Sequence, residues 1–552
     1  MSIIVAVTGH RDLRAEDEPA LSASLRGILE RLRAAYPATP LVLLTPLAVG
    51  ADRLAARVAI ALNVPFRVPM PFPEAEYRKD FDAAESAEFD ELLAAAQDTY
   101  TMPFTGDNDA ANVGDPARRA KQYAVVGAYL ARVANVLVAL WDGRASESVG
   151  GTAQIVDYRL LGADEVYRNP TELLDAPETG PVYQIVTPRR SDPVAGEPAG
   201  TLHVKTPFGD VAEADDPLRP LYARIETFNR DAAQYGPAGS NESTATLQLR
   251  EVAERLATLY QRRYHLALAA IFFATSLAAM CLAIGNLIDY GDWSTLVYAG
   301  LIVVALCSYL IANRFRWKDR FIEYRALEIG LSVQRTWFLA GLTTSVADFY
   351  LRLQRSDLDW IRDAIRSVHH LDLGMPNDPV AGMTAVRDFV TDQRNFFERA
   401  ARRDERSSEL FDRLTWVAFA GGMLCTILLC TSALWHIVEP ATDPRTLPAW
   451  AASLWGGADA FIRGIAVATI FAAVLNEYPR RRAFHAQSRR YAIMFQVYDR
   501  ALQLLDAAHQ ASLEERLRLT QEVARDVGRE ALAENGDWVV MHRELPMELL
   551  HV

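Results

Sequence analysis

YHLALAAIFFATSLAAMCLAIGNL, from Tyr264 to Leu287, carries no Asp, Glu, Lys or Arg. At about 1.5 Å per helical residue it is long enough to cross a hydrocarbon layer about 30 Å thick. After the polar break IDYGDWS comes TLVYAGLIVVALCSYLIA, Thr295 to Ala312, which is equally uncharged. A helix buried in a soluble core keeps some polar face, so two such runs in close succession read as a transmembrane hairpin. Function then lies in a relation between the chain on one side of the hairpin and the chain on the other.

Charge at the flanks orients the hairpin. Gln261-Arg262-Arg263 precedes it and Arg314-Phe315-Arg316-Trp317-Lys318 comes after it, while the connecting loop holds Asp289 and Asp292 and no basic residue. The positive-inside rule places both flanks in the cytosol. A second hairpin is expected from Leu414 to Val438 and from Leu447 to Leu475, with Pro479-Arg480-Arg481-Arg482 again marking the inside. Four spans with both termini cytoplasmic fit every flank, a multi-pass inner-membrane protein. In the last run Asp459 and Arg463 stand four apart on one helix face, where they can pair and line or brace a membrane path. Alternatively, Leu447 to Gly457 is interfacial and the span starts near Asp459. Gly421-Gly422 and Gly456-Gly457 suit close helix packing. Leu247 to Arg263 reads as an amphipathic helix entering the first span, and Tyr491 to Leu532 as a helix leaving the last.

Upstream, short apolar runs alternate with helical spacing: Ile3 to Val7, then leucines 21, 25, 29 and 32; Leu41 to Thr45, then a helix to Leu62; Phe66 to Met70; and Val133 to Leu140. Near-continuous aliphatic strands between helices require a parallel sheet covered on both faces. The fold class expected is a doubly wound, Rossmann-like α/β N-terminal domain plus an all-α membrane domain with four transmembrane helices and long cytosolic helices. Pro181 to Thr187 is a further strand candidate. Residues 188 to 243 are rich in Pro, Gly, Asp and Ser and read as a linker around one helical stretch, Leu218 to Gln234.

In doubly wound sheets ligands bind beyond the carboxyl ends of the strands. There the sequence places Thr8-Gly9-His10-Arg11, Gly50-Ala51-Asp52-Arg53, Trp141-Asp142-Gly143 and Gly150-Gly151-Thr152. Glycines at a helix start let an anion approach bare backbone N–H groups, so these residues are candidates for a phosphate-bearing ligand. Each also has a plain structural role open to it. The glycines can make tight turns, Arg11 and Arg53 can pair with Asp12 and Asp52, and His10 can be a satisfied loop histidine. Asp52 can cap its helix, and Trp141 can be either core or a platform for a base.

TGHRDL, LAVGADRLAARVAI, PFPEAEYRKDF and WDGRASESVGGTAQIVDYR together resemble the SLOG superfamily over about residues 1 to 190. That superfamily includes the LOG phosphoribohydrolases and the DprA-type proteins. The resemblance implies binding of a nucleotide or a nucleotide derivative. The LOG enzymes carry PGGxGTxxE with a catalytic glutamate. Here the spacer and second glycine are missing, Ile155 stands where the glutamate would, and Asp157 lies two residues on, which puts catalysis in doubt and leaves ligand binding open. Residues 245 to 552, with Tyr324-Arg325-Ala326-Leu327-Glu328 and Gln334-Arg335-Thr336-Trp337, are similar to the SLATT family. Its name describes a two-span effector domain, and the similarity implies pore formation or membrane perturbation in antiviral defence.

The domains expected are therefore 1–190 (nucleotide sensing), 191–244 (linker), 245–345 (first hairpin with its cytosolic extension), 346–413 (cytosolic helical segment) and 414–552 (second hairpin and C-terminal helix). Composition narrows the partners. The chain has 552 residues, 23% of them charged, and a net charge of −13. No basic stripe interleaved with aromatics appears, so nucleic acid is excluded as a main partner. Cys281, Cys307, Cys425 and Cys430 form no CxxC or Cys/His cluster and read as small buried apolar residues. No metal or cofactor is expected. The partners expected are a nucleotide-derived small molecule, the lipid bilayer and further copies of the chain. The alternative function is a membrane-tethered LOG-like hydrolase.

Overall fold

The computed structural model describes residues 1–106, 108–164, 167, 178–192, 196–236, 244–285, 292–351, 358–372, 378–438, 458–481 and 484–544. The chain divides into two compact units. One holds Met1–Val252, Gly330–Phe338 and Thr343–Pro376, and the other Ala253–Ile329, Leu339–Leu342 and Asn377–Val552.

The first unit is built on an eight-stranded sheet. Its strands are β1 (Ile3–Gly9), β2 (Leu41–Leu44), β3 (Phe66–Met70), β4 (Asp98–Thr101), β5 (Val136–Trp141), β6 (Val182–Val186), β7 (Leu202–Thr206) and β8 (Gly209–Val211). Their spatial order is β4-β3-β2-β1-β5-β6-β7-β8. β1 pairs in parallel with β2 (Ile3 with Leu41) and with β5 (Val5 with Val136). The chain thus runs outward from β1 through β4, then returns to build the other half from β5, so the strand order reverses beside β1. Ile3 to Val7 and all of β5 are buried, as helices on both faces demand.

The crossover helices are α1 (Glu18–Ala35), α2 (Ala51–Ala61), the single turn α3 (Glu74–Tyr77), α4 (Ala83–Ala95), α5 (Pro116–Val133) and α6 (Thr152–Leu161). Asp82 and Glu85 form a reciprocal capping box at the start of α4, and the Asp115 side chain caps α5. Val133 therefore ends a helix, and the strand expected from it starts at Val136.

Within the expected linker 191–244, the described residues Leu202–Val211 belong to the sheet. β7 pairs antiparallel with β6, and β8 with β7, which extends the parallel sheet. The β7–β8 turn is tight, with Gly209 at φ +124 and Thr206 Oγ1 donating to the Gly209 carbonyl at 2.7 Å. The helical stretch expected there is α7 (Arg219–Tyr235).

A segment from far downstream completes this unit. The helix α10 (Trp317–Leu339) contributes its end to it, and α11 (Asp359–Asp372) belongs to it wholly. Trp360, 1% exposed, packs against Phe228 of α7. Arg362 donates to Glu178 Oε1 at 2.6 Å, and Arg366 binds the same carboxylate oxygen. The two guanidinium charges outweigh the burial penalty and hold the Glu178 carboxyl down at about 2. The stretch 346–413 is accordingly divided between the two units.

The second unit is helical. Two helices are divided between the units: α8 (Ala245–Gly285), whose start to Val252 lies in the first unit, and α10, whose stretch Gly330–Phe338 does. The others are α9 (Asp292–Arg314), α12 (Pro379–Val438), α13 (Ala458–Arg481), α14 (Phe484–Ala507) and α15 (Leu513–Glu544). Among the described residues three helical stretches are long and apolar enough to cross a membrane: Ala245–Cys281, Ser294–Arg314 and Pro379–Thr431. Their most apolar windows are 22%, 11% and 0% buried, so large side chains such as Phe273, Val303, Trp416 and Phe419 are exposed. The same exposure corrects the reading of the cysteines: Cys307 and Cys430 are exposed, Cys281 and Cys425 half-buried, and all four are free thiols.

α12 and α13 approach through small residues. A Cβ on Gly464 would lie 2.6 Å from Cys425 Sγ, and one on Gly422 would lie 3.2 Å from Ala468 Cβ. Arg463 is half-buried on α13, whereas the Asp459 side chain, its expected pairing with Arg463 and the run 447–457 lie outside the described residues. The helix expected from Tyr491 to Leu532 is broken between α14 and α15, where Ser512 and Glu515 form a new start through Ser512 N–H to Glu515 Oε2 (3.2 Å) and Glu515 N–H to Ser512 Oγ (3.3 Å). α15 then passes through Gly536 to Glu544.

Candidate functional site

A cleft of about 560 Å³ opens in the first unit beyond the carboxyl ends of β1 and β2 and beside the start of α6. This is the side of the sheet where the strand order reverses, the usual ligand position in such folds. Thr8, Gly9, His10, Arg11, Asp52, Gly150, Gly151 and Thr152, all candidates from the sequence, line it.

Two glycines let the first two loops meet. A Cβ on Gly9 would stand 2.4 Å from Ala51 Cβ. Gly50 has φ +89, and a Cβ there would stand 2.5 Å from the carbonyl oxygens of His10 and Arg11. The Ala51 N–H closes the contact by donating to the His10 carbonyl at 3.1 Å. Gly50 and Ala51 thus hold the start of α2 against the β1 exit loop and do not line the cleft.

Asp52 and Arg53 face different surroundings. Asp52 lines the cleft and accepts from the Ala48 N–H at 3.2 Å. Burial raises its pKa from 3.8 to about 7, against the opposing effect of that N–H and of Arg11 and Arg53. Arg53 is 1% exposed and turned into the protein. It donates to the Leu47 carbonyl at 3.2 Å, the Glu85 carbonyl at 2.7 Å and Glu88 Oε2 at 2.9 Å, and it lies over the Phe81 ring. Its role is to brace α2 against α4, so it is not a ligand-binding residue.

His10 is a satisfied histidine. Arg189 reaches Nδ1 at 3.0–3.2 Å, and Nε2 lies 3.1 Å from the Asp142 backbone nitrogen and 3.2 Å from Asp142 Oδ1, so both ring nitrogens have partners. Burial, then the charge of Arg189, lowers its pKa from the usual value, so it is neutral at pH 7. Trp141 is core: it is 8% exposed, packs with Leu130, Val156 and Val182, and its Nε1–H is used by the Arg144 carbonyl at 3.0 Å. Asp142 and Gly143 form the turn after β5, with Gly143 at φ +85, and neither they nor Trp141 line the cleft.

At the third loop, Gly150 (φ +74) lies so close to α5 that a Cβ would meet Tyr123 Cβ at 2.8 Å. The Gly150 N–H donates to Gln154 Oε1 at 2.7 Å, and α6 begins after Gly151 with no side-chain cap. Its first N–H groups are therefore available to an anion, with the helix dipole behind them. Ile155 also lines the cleft and packs against Gly127 of α5.

The far wall carries no mark in the sequence. Arg119 and Tyr123 project from one face of α5, being four residues apart. Arg119 donates to Asp80 Oδ1 at 2.8 Å and Glu76 Oε1 at 2.9 Å, and the Tyr123 hydroxyl donates to the other oxygen of Asp80. Arg189, from beyond β6, escapes sequence reasoning because nothing in its local sequence marks it. Arg11 lies over the Tyr123 ring at 4.9 Å and makes no ion pair among the described residues. The cleft therefore offers the Arg11 guanidinium, near Tyr123 and Asp52, and one uncapped helix start. Among the described residues no three His, Cys, Asp or Glu side chains converge as a metal site requires. In comparisons with known proteins, no family model and no curated protein matches the chain.

Proposed function

We propose that this chain is a membrane effector whose sheet domain binds a nucleotide-derived ligand and whose apolar helices, as four spans with both termini cytoplasmic, respond by oligomerising and permeabilising the membrane. The observation that carries the reading is the cleft: an uncapped α6 start beside Arg11, at the strand-order reversal, with Ile155 where hydrolases of the resembling type need a carboxylate. The exposed faces of α8, α9 and α12 support the membrane half. For a ligand to move such a bundle from about 1% to 99% open it must favour the open state about 10⁴-fold, or about 5.5 kcal/mol. Several subunits acting together meet that demand more readily than one.

One observation favours the hydrolase alternative: Asp52 is a cleft carboxyl held near neutrality, as a general acid or base would be. The two readings are separated by incubating nucleoside monophosphates, cyclic nucleotides and ADP-ribose derivatives with the full chain in liposomes. The effector reading expects an intact ligand and dye release. Gly151→Asp should lose both binding and release by setting a carboxylate at the α6 start. Dye release without ligand dependence, with binding intact, overturns the effector half. Free base released at ordinary enzyme rates establishes the hydrolase.

A further inference from the structure

A second cavity, of about 290 Å³, lies on the sheet face of Ile4 and Val42, near the amino ends of β1 and β2, away from the nucleotide cleft. Phe228 of α7, Leu249 of α8 and Val368 of α11 contribute to its apolar wall. Into this lining the sheet places Arg67 of β3, a residue with no hydrogen bond or ion pair to its guanidinium among the described residues; its Nε is fully buried and unsatisfied. A buried donor without a partner costs stability. The buried arginines of the sheet domain each have a partner for part of the guanidinium, Arg53 in Glu88, Arg159 in the Ala131 and Asn135 carbonyls, Arg362 and Arg366 in Glu178, whereas the half-buried Arg67 has none among the described residues.

We infer that this cavity is a binding site for a small monocarboxylate with an apolar body, its carboxylate on Arg67 and its chain against Phe228, Leu249 and Val368. The guanidinium fork matches a carboxylate in two parallel hydrogen bonds, and the aliphatic walls reward an alkyl or aryl body. A single negative charge is specified because Arg67 is the one charged side chain among the residues that line the cavity.

The test uses the full chain in lipid nanodiscs, with octanoate as the probe, octanol as its uncharged counterpart and inorganic phosphate as a bare anion. Arg67→Met and the cavity-filling Ala232→Leu are compared with the wild type by thermal melting and titration calorimetry. Octanoate should bind the wild type about tenfold or more tighter than either variant, since a charge-assisted pair is lost in one and space in the other. Octanol and phosphate should show no such difference. Without ligand, Arg67→Met should melt at or above the wild-type temperature, because it removes an unsatisfied donor. Equal octanoate affinity in the wild type and Arg67→Met, octanol binding as tightly as octanoate, or an Arg67→Met variant that melts well below the wild type each overturns the inference. None of these outcomes touches the nucleotide cleft.

Discussion

α2 and α9 reverse what their compositions suggest. α2 carries Asp52 and Arg53 in its first turn, yet eight of its eleven residues are buried. α9 is almost uncharged from Thr295 to Ala312, yet only 11% of its most apolar window is buried. Polar groups can enter a protein interior when partners wait for them, as Leu47, Glu85 and Glu88 do for Arg53. An apolar helix that the protein leaves uncovered has more hydrophobic surface than its own core uses, and it calls for another apolar medium.

The contrast can be broken at α2 by removing the space that permits its burial. Gly50→Val adds a Cβ 2.5 Å from two carbonyl oxygens at φ +89, and it should destabilise the sheet domain by about 4 kcal/mol or more. Protease resistance of the sheet domain in the full chain is the measurement, and near wild-type resistance would mean that the two loops do not meet as described.

A smaller effect compares the two helices directly. Val303→Arg, mid-way along α9 at a 56% exposed position, should cost about 2.5–3.5 kcal/mol in membrane insertion. Ile60→Arg on α2, 45% exposed, should change stability by no more than about 0.5 kcal/mol. If both substitutions prove neutral, the exposed face of α9 is not in contact with lipid.

A third test is a pH dependence at the start of α2. The folded-state pKa of Asp52 is raised from 3.8 to about 7, so its stabilising contribution is full below 3.8 and is lost as the pH rises through about 7. Asp52→Asn, which still accepts from Ala48, should therefore match the wild type near pH 4 and melt higher than it at pH 8. Parallel melting curves across that range would show that Asp52 ionises freely.

The two apolar runs were legible from Tyr264 to Ala312 because membrane length and charge exclusion are properties of the chain itself. The parallel strands were legible for a similar reason: a strand covered on both faces needs an unbroken aliphatic run, and Ile3 to Val7 shows one. Strand β4, Asp-Thr-Tyr-Thr at the sheet edge, has no such run, and β7 and β8 exist only through pairing with a neighbour. Eight of the residues that line the cleft could be named from strand-end motifs. Their division into cleft and core could not, since Arg11 and Arg53 have the same side chain and comparable motifs. What separates them is what each can reach: the open face of Tyr123 for Arg11, and Glu88 with the Leu47 and Glu85 carbonyls for Arg53. Arg119, Arg189 and the return of α11 to Glu178 were likewise decided only by tertiary structure, because a charged residue's local sequence gives its helix face but not the partner across the fold that compensates its burial.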